Sequence, residues 1–386
     1  MAKRVTVYFA TNRQPMLDGT TDKIINFSSE LGPTGGLDVR YGSAEVDVDL
    51  AAGTSEVADG SIDVADQQLV FTEGGAARLG SNTIFAALHA DMAEKKRPTL
   101  AFIHGFSNTF KESIARAGWN LVFLGLEANI FAFSWPSIGT PTGLPNLFSD
   151  YTHDRETAAA SGPAIARTIR RLHDYDDKLA REQHCDQSIH LLCHSMGNYA
   201  LRNALQALMR LPDPGAGHGA ARLSAGAPDP SVLRRTFDNI VLAAADEDTD
   251  AFDDPGKLKY LPRIGRSVTV YYSRADFVLG TLSAGTKFNG PRLGSDGPDN
   301  MDSISDRVTA VDATAIADPA KDPEGHQYYR TIKAARDDIA AVLEGTPQNA
   351  IPNREPIGPH RFAIKASKPR SQPKQRRRRV AERGRV

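Results

Sequence analysis

"HLLCHSMGN", residues 190–198, decides how this chain is read. An apolar run, Leu191 to Cys193, leads into His194, Ser195, Met196 and Gly197. The stretch nearly matches G-x-S-x-G, in which a strand turns sharply into a helix and lifts a serine hydroxyl above the sheet. Such a turn is crowded, so the residues two before and two after the serine must be small. Gly197 meets that demand on one side. Cys193 stands where the first glycine is expected, and a compact thiol fits a buried strand end. On the plainer alternative, Ser195 is only the N-cap of a helix. The choice depends on what the rest of the chain supplies.

Outward from this stretch, short apolar runs alternate with helical patterns. "VTVYFAT" (5–11), "TLAFIHG" (99–105), "NIFAFSW" (129–135), "SIHLLC" (188–193), "NIVLAAAD" (239–246), "SVTVYYS" (267–273) and "RVTAVDA" (307–313) read as strands. "LDVRYGSAEVDVDL" (37–50) alternates at period two, as a half-buried strand does. Leu201, Ala204, Leu205 and Leu208 follow helical spacing. Tyr328, Ile332, Ala335, Ile339 and Val342 do the same in one helix that stops at Gly345, with Pro347 beyond. Continuous apolar strands alternating with helices predict an α/β fold with a mostly parallel sheet covered on both faces. The Gly/Pro-rich segments 137–151 and 211–230 are expected to form the rim or a lid.

Composition sets the outer bounds. The chain has 386 residues, 40% of them hydrophobic and 24% charged, which is ordinary for a globular protein. Two cysteines, Cys185 and Cys193, exclude a disulfide framework. The apolar run near the start is too short for a secretory signal, and no stretch approaches a membrane span, so a cytoplasmic setting is expected. Net charge is −1, but Lys365 to Val386 holds ten Lys/Arg and one acid, leaving −10 for the other 364 residues. An acidic body of residues 1–346 is therefore expected to carry a tail, 347–386, Pro-rich and then basic, and disordered by composition.

In parallel sheets the chemistry gathers at the carboxyl ends of strands. After residues 99–105 comes Phe106, whose backbone N–H would pair with that of Met196 as an oxyanion hole. Nucleophile, acid and base in the order Ser…Asp…His then require an acid and a later histidine. Strand 267–273 ends in Asp276. Strand 307–313 is followed by Gly325 and His326; the only later histidine, His360, lies among prolines. Ser195, Asp276 and His326 fill all three slots. Asp246 and Asp248, after "NIVLAAA", are the rival acids. His104 and His194 flank the site and shape its turns; with Trp135 they are candidates for a pocket wall. Asp154 and Arg155 are placed at the start of a helix.

Several other chemistries lack their residues. "DEDTDAFDDPGK" (246–257) fails as a calcium loop, with Ala251 at position six and Lys257 at position twelve. The remaining histidines have no metal-ligand spacing, and no phosphate-cradling glycine loop is present, so neither metal nor cofactor is expected.

"FIHGFSNTF", "FSWPS", "YTHDRETAAASG", "LLCHSMGN" and "YYSRADFVL", in this order, resemble the bacterial α/β-hydrolase family known as domain of unknown function 900. The similarity spans roughly residues 5 to 344. It implies an α/β-hydrolase fold and an esterase- or lipase-type serine hydrolase. The nucleophile would be Ser195, the acid Asp276 and the base His326, acting on a small-molecule or lipid ester. The competing class is a non-catalytic scaffold whose basic tail binds nucleic acid or anionic membrane. A scaffold is expected to have lost at least one of the three slots.

Overall fold

The computed structural model describes residues 2–66, 79–139, 144–183, 186–211, 227–283 and 290–366. Its centre is one sheet, twelve-stranded among the described residues. The strands in chain order are β1 (Lys3–Thr11), β4 (Arg40–Asp49), β5 (Thr54–Val57), β6 (Asp63–Val64), β7 (Thr99–Ile103), β8 (Asn129–Ser134), β9 (Ile189–His194), β10 (Phe237–Ala243), β11 (Gly265–Tyr272), β12 (Val308–Asp312), β13 (Arg354–Gly358) and β14 (Arg361–Ile364). A separate hairpin joins β2 (Arg13–Leu17) to β3 (Ile24–Leu31). Across the large sheet the order is β13-β14-β12-β11-β10-β9-β7-β8-β1-β4-β5, with β6 on β4. From β1 to β14 every neighbouring pair is parallel. The outer pairs β1–β4, β4–β5 and β13–β14 are antiparallel.

Both faces are buried, which is why the central strands read as unbroken apolar runs. Successive residues of β7 and β8 point to opposite sides. Ala101, Ile103, Phe131 and Phe133 join one core, and Leu100, Phe102, Ile130 and Ala132 the other. The first core is covered by α1 (Gly80–Lys95), α3 (Leu144–Ala160), α4 (Gly162–Gln183) and α5 (Met196–Leu208). The second is covered by α2 (Phe110–Leu124) and, after the one-turn helices α6 (Leu293–Asp296) and α7 (Tyr328–Thr331), by α8 (Lys333–Leu343). α2 opens on a complete capping box, Thr109 with Glu112, which fixes where the helix starts after β7. The expected α/β architecture with a mostly parallel sheet is what the chain adopts.

Three expectations need correction. The ordered fold does not end at residue 346. β14 pairs with β12, and Phe362 and Ile364 are buried, so residues 354–364 complete the sheet. Strands of four and five residues, one holding Pro356, carry too little pattern to be read ahead of the structure. The final helix is two pieces, α7 (Tyr328–Thr331) and α8, separated by Ile332 in extended conformation. The adjacent β-branched Thr331 and Ile332 disfavour helix there. Asp154 and Arg155 lie within α3, which begins at Leu144, inside the segment read as a rim loop. The tail 367–386 and most of 211–230 lie outside the described residues. Among the described residues no helix is long and apolar enough to cross a membrane.

Candidate active site

Ser195 joins β9 to α5 with φ 53° and ψ −125°, a conformation that costs a non-glycine residue energy and is kept only where its surroundings impose it. Here they do. The Ser195 N–H donates to the Ala243 carbonyl (3.0 Å) on the neighbouring strand. Its carbonyl accepts from the Asn198 N–H (3.0 Å), the Asn198 side-chain amide (3.0 Å) and the Asp246 N–H (3.2 Å). The demand for small neighbours is real. A Cβ on Gly197 would lie 2.5 Å from the Ile103 carbonyl, and one on Gly105 would lie 2.8 Å from the Ser195 Cβ. Cys193 is fully buried in the core, and burial pushes its thiol well above its ordinary range, which keeps it protonated and inert.

Asp276 and His326 meet. His326 Nδ1 is 2.7 Å from Asp276 Oδ2, both residues being buried. The other carboxylate oxygen accepts from the Leu279 N–H (3.0 Å), so the acid is held on both sides. Gly325 lets the histidine approach: φ is +65°, and a Cβ there would sit 2.1 Å from the Ala275 carbonyl. Burial is the largest single influence on the His326 imidazole and lowers its pKa. Asp276, by charge and hydrogen bond, together with Asp322 and Asp246, outweighs it, and the net shift is upward. With Nδ1 committed to Asp276, Nε2 is the ring nitrogen left for proton transfer.

His194 connects the serine turn to the histidine loop. Its Nε2 lies 3.2 Å from the His326 carbonyl oxygen, and the two rings are 4.8 Å apart. His104 and Trp135 stack on each other (4.8 Å, 6°), and Trp135 Nε1 donates to the His104 carbonyl (2.8 Å). With exposures of 1%, 2% and 0%, His104, His194 and Trp135 brace the strand ends from within and present almost no surface. Burial pulls both imidazoles well below the usual histidine range, so they are neutral. The rival acids are engaged elsewhere. Asp246 accepts from the Tyr151 hydroxyl (2.6 Å) and lies 3.9 Å from Arg155 Nη1. Asp248 pairs with Lys257 Nζ (3.0 Å) and with Arg292.

The turn carrying Phe106 is held by residues sequence reasoning did not connect. Asp154, 0% exposed, accepts from the Ser107 N–H (3.3 Å), the Ile138 N–H (2.8 Å) and the Ser137 hydroxyl. Arg13, 1% exposed, donates to the Asn108 carbonyl (2.8 Å), the Ser137 carbonyl (3.1 Å) and the Ser134 hydroxyl (2.9 Å). Asp322 also went unread; it accepts from the Gln327 N–H (2.7 Å) beside the histidine. Among the described residues no group of three or more His, Cys, Asp or Glu side chains is arranged to hold a metal ion.

A strained serine at the end of a central strand and a His–Asp pair on later strand ends are the layout of an α/β-hydrolase. The family profile described as "Alpha/beta hydrolase of unknown function (DUF900)" matches residues 83–343. The chain belongs to that family. The matched span runs from α1 to the end of α8 and contains all three triad candidates. The hairpin, β4 to β6 and the C-terminal edge strands lie outside it. No curated protein matches the sequence.

Solved structures that match at low similarity include a truncated carbohydrate esterase from gut microbiota, at 10% identity and TM-score 0.29, covering 64% of this chain and 85% of that one. An acetyl xylan esterase matches at 11% identity and TM-score 0.26, covering 61% and 93%. Phospholipase PlaB from Legionella pneumophila matches at 11% identity and TM-score 0.24, covering 62% of this chain and 45% of that one.

Proposed function

We propose that the protein is a serine hydrolase that cleaves carboxylic esters through a covalent acyl-enzyme. The observation that carries this reading is the buried 2.7 Å contact between His326 and Asp276 on the strand ends beside the strained Ser195 turn. His326 Nε2 takes the Ser195 hydroxyl proton as the oxygen attacks the ester carbonyl. The N–H groups of Phe106 and Met196 receive the oxyanion; that of Met196 opens α5, where the first helical N–H groups have no partner within the helix. The proton passes from His326 to the departing alcohol. Water then attacks the acyl-enzyme by the same route and releases the acid. Asp276 keeps the imidazole in the tautomer that leaves Nε2 free.

The apolar side chains near Asp276 divide. Leu279 is core, whereas Phe277 is 65% exposed, as is Phe148 on α3 at 54%. The exposed Phe277 ring, next to Asp276 in the chain, supports an ester with an apolar acyl group.

The test is labelling of the purified protein with a fluorophosphonate, followed by a panel of p-nitrophenyl esters. Labelling is expected to disappear in Ser195→Ala, to fall strongly in His326→Ala and to persist in Cys193→Ala. A folded wild-type protein that neither labels nor turns over any ester would falsify the reading.

A further inference from the structure

α2 starts just after the turn that carries Phe106, and α7 starts two residues after His326. The two helices pack against each other. On α2, Arg116 and Asn120 are four residues apart and share a face. On α7, Tyr329 and Arg330 are adjacent. Asn120 is 1% exposed, and neither of its side-chain amide atoms has a hydrogen-bond partner. The Tyr329 hydroxyl is likewise buried and faces the Asn120 side chain, while His194 Nδ1 has no partner. The His194 ring stacks on Tyr329 at 4.5 Å. Arg116 is half-buried and, among the described residues, makes no hydrogen bond or ion pair.

Buried polar groups in native proteins are nearly always satisfied, and charges in low-dielectric surroundings are paired. Arg330 Nε donates to Gln327 Oε1 (2.7 Å), but among the described residues neither Arg116 nor Arg330 has an ion-pair partner. We propose that Arg116, Arg330, Asn120 and Tyr329 form a binding site for a small free oxyanion of the phosphate class, behind the contact between His194 and His326.

Guanidinium groups match the oxygens of such an anion bidentately, while the amide and the phenol supply further N–H and O–H donors. The local electrostatics agree. Burial first, and the neighbouring Arg330 second, bring the Arg116 guanidinium down to about 10. Its opposing acid, Glu112, is occupied by the Thr109 N–H (2.7 Å) and hydroxyl (2.8 Å) at the exposed start of α2. Burial raises the Tyr329 phenol, against which Arg330, Arg116 and Asn120 act. An anion placed here would relieve the repulsion between the two arginines. It would also bridge the helix that follows the Phe106 turn and the helix that follows His326. The inference goes beyond the hydrolase reading and does not depend on it, because binding is measured without turnover.

The fold supplies a reporter. Trp119 Nε1 donates to the Arg330 carbonyl (3.0 Å), and its ring stacks on Phe123. The full-length protein is titrated with inorganic phosphate at constant ionic strength, following tryptophan fluorescence and Tm, with chloride as the comparison anion. Saturable changes are expected with phosphate. The midpoint should weaken about tenfold or more in Arg116→Gln and in Arg330→Gln, since one charge-assisted contact is lost in each. Arg116→Lys should retain part of the affinity. Circular dichroism checks that each variant is folded, and the second arginine keeps the test alive where one substitution unfolds the chain. Phosphate also stabilises proteins without binding, by exclusion from their surface. A Tm that climbs without saturation, or equally in wild type and variants, overturns the proposal. So does a chloride response as strong as that to phosphate.

Discussion

At the scale of single residues, Ser195 pays a conformational cost for its position. Its backbone angles suit glycine, and the strain is of order 1–3 kcal/mol in such conformations. Ser195→Gly is therefore expected to unfold at higher temperature than Ser195→Ala, by about 1 kcal/mol, while both fail to label with a fluorophosphonate. Equal melting temperatures would show that the turn is unstrained. His326 gives a second prediction. Its pKa lies above the ordinary histidine value, because Asp276 and the nearby acids outweigh burial. Hydrolysis requires the neutral imidazole, so the acid limb of kcat/KM should lie above the usual histidine range. Asp276→Asn should move that limb to lower pH and cut kcat by about 10⁴-fold. The linked stability is fully present below the unfolded imidazole value of about 6.5 and is lost as pH rises through the folded value. Asp276→Asn should thus cost more stability near about pH 6 than near about pH 9. An acid limb that stays in place would remove His326 from the role of base. These three residues were legible because each follows an apolar run and their order is constrained. Asp322 and Asp154 were not, because their contacts join chain segments that share no spacing signal.

At the scale of elements, the Phe106 turn is positioned by parts of three segments. β2 contributes Arg13, α3 contributes Asp154, and the loop after β8 contributes Ser137. Burial depresses the Arg13 guanidinium to about 9, and Asp154 is the main charge acting to hold its proton. Asp154→Asn removes that charge and places an amide N–H₂ where an oxygen accepts hydrogen bonds. The expected result is a loss of about 3–5 kcal/mol in stability, the usual cost of leaving a buried charge uncompensated. In the folded fraction kcat should fall roughly 10–100-fold with little change in KM, because the oxyanion donors loosen while ester contacts remain. Urea melts and ester kinetics on Asp154→Asn check both; a variant with wild-type kcat would show that the turn holds its shape unaided. The same elements show the limit of reading periodicity. The spacing from Tyr328 to Val342 is helical throughout, yet Ile332 is extended. The Thr331 hydroxyl bonds back to the Gln327 carbonyl (3.0 Å), and Trp119 takes the Arg330 carbonyl, so the last turn of α7 is satisfied without continuing. Hydrophobic spacing reports which face is buried and is blind to a break that preserves that face.

At the scale of the whole molecule, the parallel sheet was readable because burial on both faces leaves little polar interruption, whereas its edges were not. The C-terminal edge is held by polar contacts among residues far apart in the chain. Arg354 Nε and Nη2 pair with Asp338 Oδ2 and Oδ1 at 2.7 and 2.6 Å, and both side chains are 2% exposed. Asp338 also accepts from the Tyr271 hydroxyl (2.5 Å), and Arg354 Nη2 lies 3.1 Å from that oxygen. One bidentate pair therefore joins α8, β11 and β13. A chain ending at Gly345 keeps the triad candidates but loses Arg354 and both edge strands. It strands the Asp338 carboxylate in the interior and exposes the edge of β12. Breaking a buried pair costs about 3–5 kcal/mol, a large part of a typical folding free energy. A chain ending at residue 366 retains the pair and the strands, and should melt within a degree or two of the full-length protein, because the charged composition of residues 367–386 is poor in the apolar residues that build a core. Thermal melts of both truncations decide the matter. If the shorter one melts with the full chain, the edge strands are an appendage and the stable core ends at α8. If it unfolds early and its ester hydrolysis is lost with it, the C-terminal edge is part of what holds β11 and β12 in register, and so of what places Asp276 against His326.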